Sequence, residues 1–589
     1  NFKVVRSFLK FFLAALVALI VFTGICFVIL MIFASALSSS DKVTIDPKSV
    51  LVLDLSQSFN DRRQDNTISR LSGDLSLETV PLYDVIRLIH HAKTDSSIRA
   101  IYIKCNENAN GFAASEELRN ALLDFRQSKK FVVAYGETIT QKAYYVGNTA
   151  DKIYCNPQGD FEWKGFASQM FFIKNALQKL EIEPQIFYDG KFKSATEPLR
   201  EEKMTEANRL QTQVWLGDLY GDLLRSTSEV RGIDTALLHQ YANDYAIRRP
   251  ADAEKYKLID GVKYDDEVKE ELRQKTGTPK DENISFVPVS AYAEAVNLKK
   301  YSSDRIAVIY AEGDIVSGKG SDKQVGADEF RNLLAKARKD KNIKAIVLRV
   351  NSPGGSALAS DVIWRETQLA RSEGKPVIVS MGDLAASGGY YISSGADSIF
   401  AQPNTITGSI GVFGIIPNFS AFFKNKLGIT FDAVKTATNA DIGTVSRPLT
   451  PAEKQIIQSE VDTVYHTFKS RVSEGRKKDP AFIDSIAQGR VWTGARALQL
   501  GLVDKLGGLE DAIACAARMA KLKDYSIREY PEPRSFWDML KSGYSKTVKS
   551  QSIKEELGEQ EYQLYMQLKR IKEITGTVQA RLPYDISVN

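Results

Sequence analysis

The chain opens with a long hydrophobic stretch. Residues 11–37 carry no charged side chain, and about 20 apolar residues are enough for a helix to cross a bilayer. Lys3, Arg6 and Lys10 precede the stretch, so the positive-inside rule places the N-terminus in the cytoplasm and the rest of the chain across the membrane. We predict a short cytoplasmic N-terminus and a single transmembrane anchor over residues 1–40.

A cleaved signal peptide is the competing interpretation of this stretch. Ala34, Ser35 and Ala36 resemble a cleavage site. The apolar core of a signal peptide spans only about 7–15 residues, however, and the stretch here is much longer. We therefore prefer a retained anchor.

After residue 45 the hydrophobic pattern changes to short β-rich apolar runs that alternate with amphipathic helical stretches. Residues 345–350 and 377–381 are such runs, and residues 328–338 and 360–372 have helical spacing. Strands separated by helices form βαβ units with parallel strands. The pattern predicts an α/β fold.

This pattern occurs twice in the chain. The segment "KKFVVAYGETITQKAYYVGNTADKIYCNP" matches "GKPVIVSMGDLAASGGYYISSGADSIFAQP", which starts 245 residues later. An internal repeat of this kind indicates two copies of one structural unit. We predict a first repeat at 45–278, a linker at 279–304 and a second repeat at 305–530.

The remaining segment, 531–589, is polar and is predicted to be a helical tail. Leu557, Leu564, Leu568 and Ile571 recur with the spacing of an amphipathic helix. We expect this helix to pack on the body of the protein or on a partner subunit.

Composition excludes several classes of function. The net charge is only +5, and no basic stripe with interleaved aromatic residues is present, which argues against a nucleic-acid partner. The four cysteines lack the spacing of a metal or redox motif, so we expect no metal and no cofactor. Cys105 and Cys155 are interpreted as buried free thiols, with a disulfide between them as the alternative.

The two repeats differ at a glycine turn. The second repeat reads "NSPGGS" at 351–356, where the first reads "NENANG" at 106–111. Gly354 and Gly355 can bring bare backbone N–H groups against a ligand, as an oxyanion hole requires. We predict that these two glycines form an oxyanion hole.

The repeats also differ at a serine and a lysine. Ser409 follows Gly408 on a tight turn and aligns with Trp163, whereas Lys193 of the first repeat aligns with Ala437. Each repeat therefore lacks one of the two side chains, the first repeat the serine and the second repeat the lysine. The four histidines lie far from other catalytic motifs. We predict a composite site with Ser409 as nucleophile and Lys193 as general base. The lysine must then be neutral, and burial lowers the pKa of a lysine from its free value of about 10.4.

Ser387, in "AASGGYY", is the competing nucleophile. A serine before two glycines at a helix start resembles the position used in Clp proteases, but its neighbourhood contains no histidine for a Clp-type triad. We therefore assign Ser387 to packing or to support of the site. Tyr390 and Tyr391 recur as Tyr144 and Tyr145, which indicates a role in the scaffold.

The ordered motifs resemble those of the long, two-repeat form of the bacterial signal peptide peptidase A family, also called protease IV. The resemblance extends from about residue 49 to about residue 534 and includes the anchor. The matching motifs are "KSATEP", "NSPGGS", "GDLAASGGYYISSGAD", "TGSIGVFG" and "GRVWTGARALQLGLVD".

The resemblance implies two tandem domains of the Clp protease and crotonase-like fold, built of repeated ββα units. It also implies a Ser-Lys dyad shared between the repeats, at Ser409 and Lys193. For the long form the resemblance further implies a homotetramer that is anchored in the bacterial inner membrane, with the catalytic domains on the periplasmic side. We expect a serine endopeptidase that degrades cleaved signal peptides and other hydrophobic peptides.

Two other functions remain open. An acyl-CoA-handling enzyme of the crotonase group would share the oxyanion hole at Gly354 and Gly355, but the chain lacks the acid and base carboxylates that such an enzyme uses. A catalytically inactive membrane scaffold on the same fold is the non-enzymatic alternative. Intact Ser409 and Lys193 argue against it.

Overall fold

The computed structural model describes residues 2–38, 44–63, 79–532 and 577–582. Helix α1 (Phe2–Ser38) precedes the α/β body. It contains a 20-residue stretch, Lys10–Ile29, with a mean hydropathy of 2.9. This stretch is long and apolar enough to cross a membrane.

The first repeat is built from seven strands and ten α-helices within the described part of the chain. In chain order they are β1 (Ser49–Asp54), α2 (Leu82–Thr94), β2 (Ile98–Lys104), α3 (Phe112–Arg126), β3 (Phe131–Ile139), α4 (Gln141–Gly147), β4 (Lys152–Phe161), α5 (Lys174–Lys179), β5 (Glu183–Asp189), α6 (Glu197–Arg200), α7 (Glu206–Arg231), α8 (Thr235–Asn243), α9 (Pro250–Lys255), β6 (Gly261–Val262), α10 (Asp265–Thr276), β7 (Phe286–Pro288) and α11 (Val289–Ala295).

The second repeat follows the same alternation and ends in a strand from the tail. In chain order its elements are β8 (Arg305–Glu312), β9 (Asp314–Val316), β10 (Gln324–Gly326), α12 (Ala327–Lys339), β11 (Ile343–Ser352), β12 (Gly354–Ser356), α13 (Ala357–Ser372), β13 (Val377–Ala386), α14 (Gly388–Ser393), β14 (Ser398–Ala401), β15 (Ile406–Gly408), β16 (Val412–Asn418), α15 (Pro451–Arg476), α16 (Pro480–Ile486), β17 (Val491–Thr493), α17 (Gly494–Gln499), β18 (Lys505–Leu506), α18 (Leu509–Met519), β19 (Ser526–Tyr530) and β20 (Gln579–Arg581).

Each repeat contains a large sheet. The sheet of the first repeat has the order β6-β4-β3-β2-β1-β7 and is parallel throughout. The second has the order β17-β15-β13-β11-β8-β19, with β14 beside β13 and β18 beside β14, and only β17 runs antiparallel to its neighbour. The predicted α/β fold is confirmed.

The central strands read as nearly continuous apolar runs because helices cover both faces of a parallel sheet. In β11 every side chain except those of Lys344 and Asn351 is buried. Helix α12 buries Phe330, Leu334 and Ala337, which recur at intervals of three and four residues along one face. Burial thus follows the periodicity that predicted these elements.

The third sheet joins the two repeats. Its order is β10-β9-β12-β20-β16-β5, so β5 of the first repeat pairs with strands of the second. The β5–β16 ladder is antiparallel and runs from Val412 opposite Asp189 to Asn418 opposite Glu183. Because of this pairing, the loop that follows β5 lies beside the loop that precedes β16.

A buried ion pair also connects the repeats. Arg349 of β11 reaches across to two carboxylates of the first repeat, with 2.8 Å to Asp61 and 2.7 Å to Glu117. The guanidinium side chain is 1% exposed and each carboxylate 5%. Charges this deeply buried are tolerated only when they are paired.

The segment predicted as a linker, 279–304, contains β7 and α11. Strand β7 pairs with β1, with Phe286 opposite Val50, and so extends the first sheet. Pro288 closes this edge strand, a position that proline tolerates. The helix predicted in the tail lies outside the described residues, whereas 577–582 contains β20.

The paired tyrosines have equivalent positions in the two repeats. Tyr144 and Tyr390 are fully buried, and each donates its hydroxyl to a backbone carbonyl, that of Leu258 and that of Leu502 respectively. This equivalence supports their interpretation as scaffold. Cys105 and Cys155 are buried free thiols.

Candidate active site

Lys193 lies in the loop after β5 and points into the seam between the repeats. Its side chain is 1% exposed, and the ring of Phe413 on β16 lies 6.0 Å from Nζ. A β-carbon on Gly489 would come within 2.7 Å of the lysine backbone nitrogen, so a glycine is needed there. Burial lowers the pKa of the Lys193 ammonium well below its ordinary value.

Two serine hydroxyls of the second repeat lie within hydrogen-bond distance of this amine. The Lys193 Nζ lies 2.9 Å from Ser387 Oγ, 3.1 Å from Ser409 Oγ and 3.3 Å from the Ser409 carbonyl oxygen. Both serines are fully buried. The structure therefore brings together the predicted pair, Lys193 and Ser409, and adds Ser387 at a shorter distance.

Ser387 occupies a sharp turn between β13 and α14. Its backbone has φ +54° and ψ −112°, a conformation that is strained for a residue with a side chain. A β-carbon on Gly389 would come within 2.6 Å of the Ser352 carbonyl oxygen. The two glycines after Ser387 thus allow the tight passage from strand to helix, which is the geometry of a nucleophile elbow.

Ser409 lies between two strands, β15 and β16. It too has a positive φ, +50°, and its backbone N–H donates a 2.7 Å hydrogen bond to the Arg490 carbonyl. The Arg490 guanidinium stacks over the rings of Phe192 and Trp492, and these contacts hold Arg490 in position. The Ser409 amide is therefore already used in a structural hydrogen bond.

The predicted oxyanion glycines lie beside the start of α14. A β-carbon on Gly354, whose φ is +100°, would come within 2.6 Å of the Gly388 nitrogen. The Gly354 N–H donates to Ser352 Oγ at 3.2 Å. The Gly388 N–H is a donor that our sequence analysis missed, although the double glycine after Ser387 was a usable signal for it.

Among the described residues, no cluster of three or more His, Cys, Asp or Glu side chains is arranged to hold a metal ion. The arrangement consists of a buried amine, two hydroxyls and a glycine-lined backbone. Chemically, such an arrangement can activate a hydroxyl for attack on a carbonyl.

Comparison with known proteins agrees with this chemistry. The profile described as peptidase family S49 matches residues 124–278 and again 369–523, and the Clp protease profile matches residues 297–407. The two S49 matches correspond to the two repeats.

Similar full-length proteins carry protease names. "Protease 4" of Salmonella typhi is 38% identical over 80% of this chain and 78% of that protein. "Protease 4" of Haemophilus influenzae is 33% identical over 92% of both chains. "Serine protease SPPA, chloroplastic" of Arabidopsis thaliana is 32% identical over 85% of this chain and 74% of that protein. The chain therefore belongs to peptidase family S49 and is a two-repeat serine peptidase with a Clp-protease-like α/β fold.

Proposed function

We propose that this chain is a membrane-anchored serine endopeptidase that cleaves hydrophobic peptides, including released signal peptides, through an acyl-enzyme. The observation that carries the proposal is the buried Lys193 amine within hydrogen-bond distance of a serine hydroxyl on a strained turn. A scaffold has no need for a desolvated lysine at this position. The S49 profile on both repeats weighs against an acyl-CoA-handling enzyme.

We further propose Ser387 as the nucleophile and Ser409 as the residue that holds the lysine, which reverses the assignment from sequence. Both hydroxyls lie within hydrogen-bond distance of Nζ, but Ser387 precedes a helix start whose Gly388 N–H can serve as an oxyanion donor. Ser409 is followed by a strand, and its own N–H is bonded to Arg490. The missing histidine, which counted against Ser387, is replaced by Lys193.

In the proposed mechanism, neutral Lys193 accepts the proton of Ser387 as the hydroxyl oxygen attacks the peptide carbonyl. The backbone N–H groups of Gly355 and of Gly388 stabilise the oxyanion, whereas the N–H of Gly354 is bonded to Ser352 Oγ. The Lys193 ammonium then donates its proton to the leaving amine. A water molecule that is deprotonated by the same lysine hydrolyses the ester and releases the acid.

The proposed cellular setting follows from α1 and from the family resemblance. An anchor at Lys10–Ile29 would keep the cleft close to the bilayer, where signal peptides remain after processing. Basic residues before the anchor favour a body on the periplasmic side. We expect a homotetramer, as the resemblance implies.

Fluorophosphonate labelling of the detergent-solubilised chain tests the assignment. We expect labelling of the wild type and none of Ser387→Ala or Lys193→Ala. Ser409→Ala should label about 10- to 100-fold more slowly, since it removes one hydrogen bond to the ammonium that forms as Lys193 accepts the proton, and a hydrogen bond to a charged group contributes about 1.5–3 kcal/mol. If Ser409→Ala abolishes labelling while Ser387→Ala retains it, Ser409 is the nucleophile. A wild type that never labels, with or without the tail, would favour the scaffold.

A further inference from the structure

A short strand from the end of the chain fills the gap between the glycine turn and β16. Strand β20 pairs antiparallel with β12, with Ala580 opposite Gly355, and with β16, where Gln579 is opposite Phe413. Two further backbone hydrogen bonds extend the ladder, from the Ala357 N–H to the Val578 carbonyl at 3.3 Å and from the Leu582 N–H to the Pro353 carbonyl at 2.8 Å. The segment is held along both edges, as a peptide added to a sheet would be.

The backbone of this segment lies at the proposed catalytic groups. A β-carbon on Gly354 would come within 2.2 Å of the Ala580 carbonyl oxygen, and one on Gly388 within 2.9 Å. The carbonyl therefore lies between the predicted oxyanion turn and the residue that follows Ser387. Any extended peptide that uses the glycine turn has to take the place of this segment.

The side chains of Ala580, Arg581 and Leu582 lie in three different environments. Ala580 is fully buried in the core of the second repeat. Arg581 forms an ion pair of 2.7 Å with Asp314 on β9, and the two side chains are 8% and 18% exposed. Leu582 is 3% exposed and belongs to an apolar cluster with Trp215 of α7 and Val491 of β17. In order, the surroundings suit a small, a basic and an apolar residue.

We propose that residues 578–582 are a tethered ligand of the peptide cleft, and that Asp314 selects a basic residue in the peptides that bind there. The inference rests on the proposed function and adds to it a substrate preference and an internal competitor. Lys193, Ser387 and Ser409 are each at most 1% exposed. With the segment in place these side chains have almost no contact with solvent, and we infer that substrate and the water that deacylation needs can reach them only when it leaves.

Two chains that differ only in this segment test the competition. One chain ends at Leu582 and keeps the strand, and the other ends at Gly576 and lacks it. We expect the chain ending at Gly576 to label with a fluorophosphonate at least tenfold faster than the chain ending at Leu582. Equal or slower labelling, or a lower melting temperature together with slower labelling, would show that β20 is a structural strand and would overturn the proposal.

Peptide binding tests the role of Asp314 independently of catalysis. The probe is a fluorescent synthetic peptide with the sequence of residues 577–582, and the receptor is the chain ending at Gly576 with Ser387→Ala. We expect binding by fluorescence anisotropy, and at least tenfold weaker binding of the Arg581→Glu peptide. Asp314→Arg in the receptor should reverse this order, whereas the control Asp328→Arg, an exposed carboxylate on α12, should not.

The outcomes separate the two proposals. If no chain labels but the peptide binds with the expected charge preference, the proposed function fails and the ligand site stands. If both chains label but the peptide does not bind, the function stands and the ligand site is overturned. Loss of the residues after Ala580 from the full chain, seen by intact mass, would make the segment a substrate and not a retained ligand.

Discussion

Lys193 takes its proposed role from its surroundings. The same amine on the surface would be protonated at neutral pH, since the free pKa of lysine is about 10.4. Here the ring of Phe413 lies 6.0 Å from Nζ, Gly489 packs against the backbone of Lys193, and burial lowers the pKa of the amine. In the proposed mechanism the buried amine takes the role that an imidazole has in a Ser-His-Asp triad.

The lowered pKa predicts the pH dependence of acylation. Only the neutral amine accepts a proton, so kcat/KM for peptide hydrolysis should rise with pH through the lowered pKa of Lys193. It should level off at a pH well below the ordinary lysine value. Lys193→Arg should reduce kcat/KM by about 10²- to 10⁴-fold at every pH, because a guanidinium stays protonated.

Lys191→Arg is the matched control for this measurement. Lys191 lies two residues away and is exposed, so its replacement should leave the pH profile unchanged. A Lys193→Arg enzyme with the wild-type profile would mean that another group is the base.

At the scale of single elements, β11 combines a core strand with a charge. Its apolar run predicted the strand, whereas the reason for Arg349 within that run could not be read from sequence. The partners Asp61 and Glu117 lie more than 200 positions earlier and belong to the other repeat. Local patterns report local structure, and the partner of a buried charge is a non-local property.

This ion pair predicts a stability effect. Arg349→Leu should lower the free energy of unfolding in urea by about 3–5 kcal/mol, because it leaves two carboxylates buried without their cation. The control is Arg528→Leu, which breaks the exposed Arg528–Glu532 pair and should cost less than about 1 kcal/mol. Equal losses for the two variants would show that the buried pair contributes little.

The β5–β16 ladder explains which parts of the site the sequence could predict. Contrast between the repeats identified Lys193, the glycine turn and Ser409, because each lies in a motif that only one repeat retains. It did not identify Ser387 as the closer hydroxyl. The distances from Lys193 to the two serines depend on the register of two strands from different repeats, and no local pattern encodes that register.

At the scale of the whole molecule, the α/β fold followed from the alternation of strand-like and helical stretches, and the two repeats followed from matching segments about 245 residues apart. Strand β20, which the tail contributes, could not be predicted in this way. The sequence of β20 is too short to show a period, and its partners β12 and β16 lie far earlier in the chain. The segment 279–304 was assigned as linker from its polar composition, and β7 within it shows that an edge strand of three residues can escape detection.

The architecture predicts that each chain has a complete site. Lys193 and both serines meet within one chain, through a ladder of that same chain. Co-expression of Ser387→Ala and Lys193→Ala chains, purified through different tags, should therefore give mixed oligomers that do not label with a fluorophosphonate. Labelling restored in the mixed oligomers would require the lysine of one subunit to reach the serine of another.

The wide separation of β5 and β16 along the chain also bears on when the proposed site can form during synthesis. Domains generally fold from the N-terminus as the chain is made, so we expect the first repeat to form before the groups that bury Lys193 have been synthesised. Ser387 and Phe413, which surround the Lys193 amine and help to desolvate it, lie about two hundred residues later in the chain. Under the proposed mechanism, a chain that ends before the second repeat lacks both serines and the burial that lowers the pKa of Lys193, and we expect no peptidase activity from it.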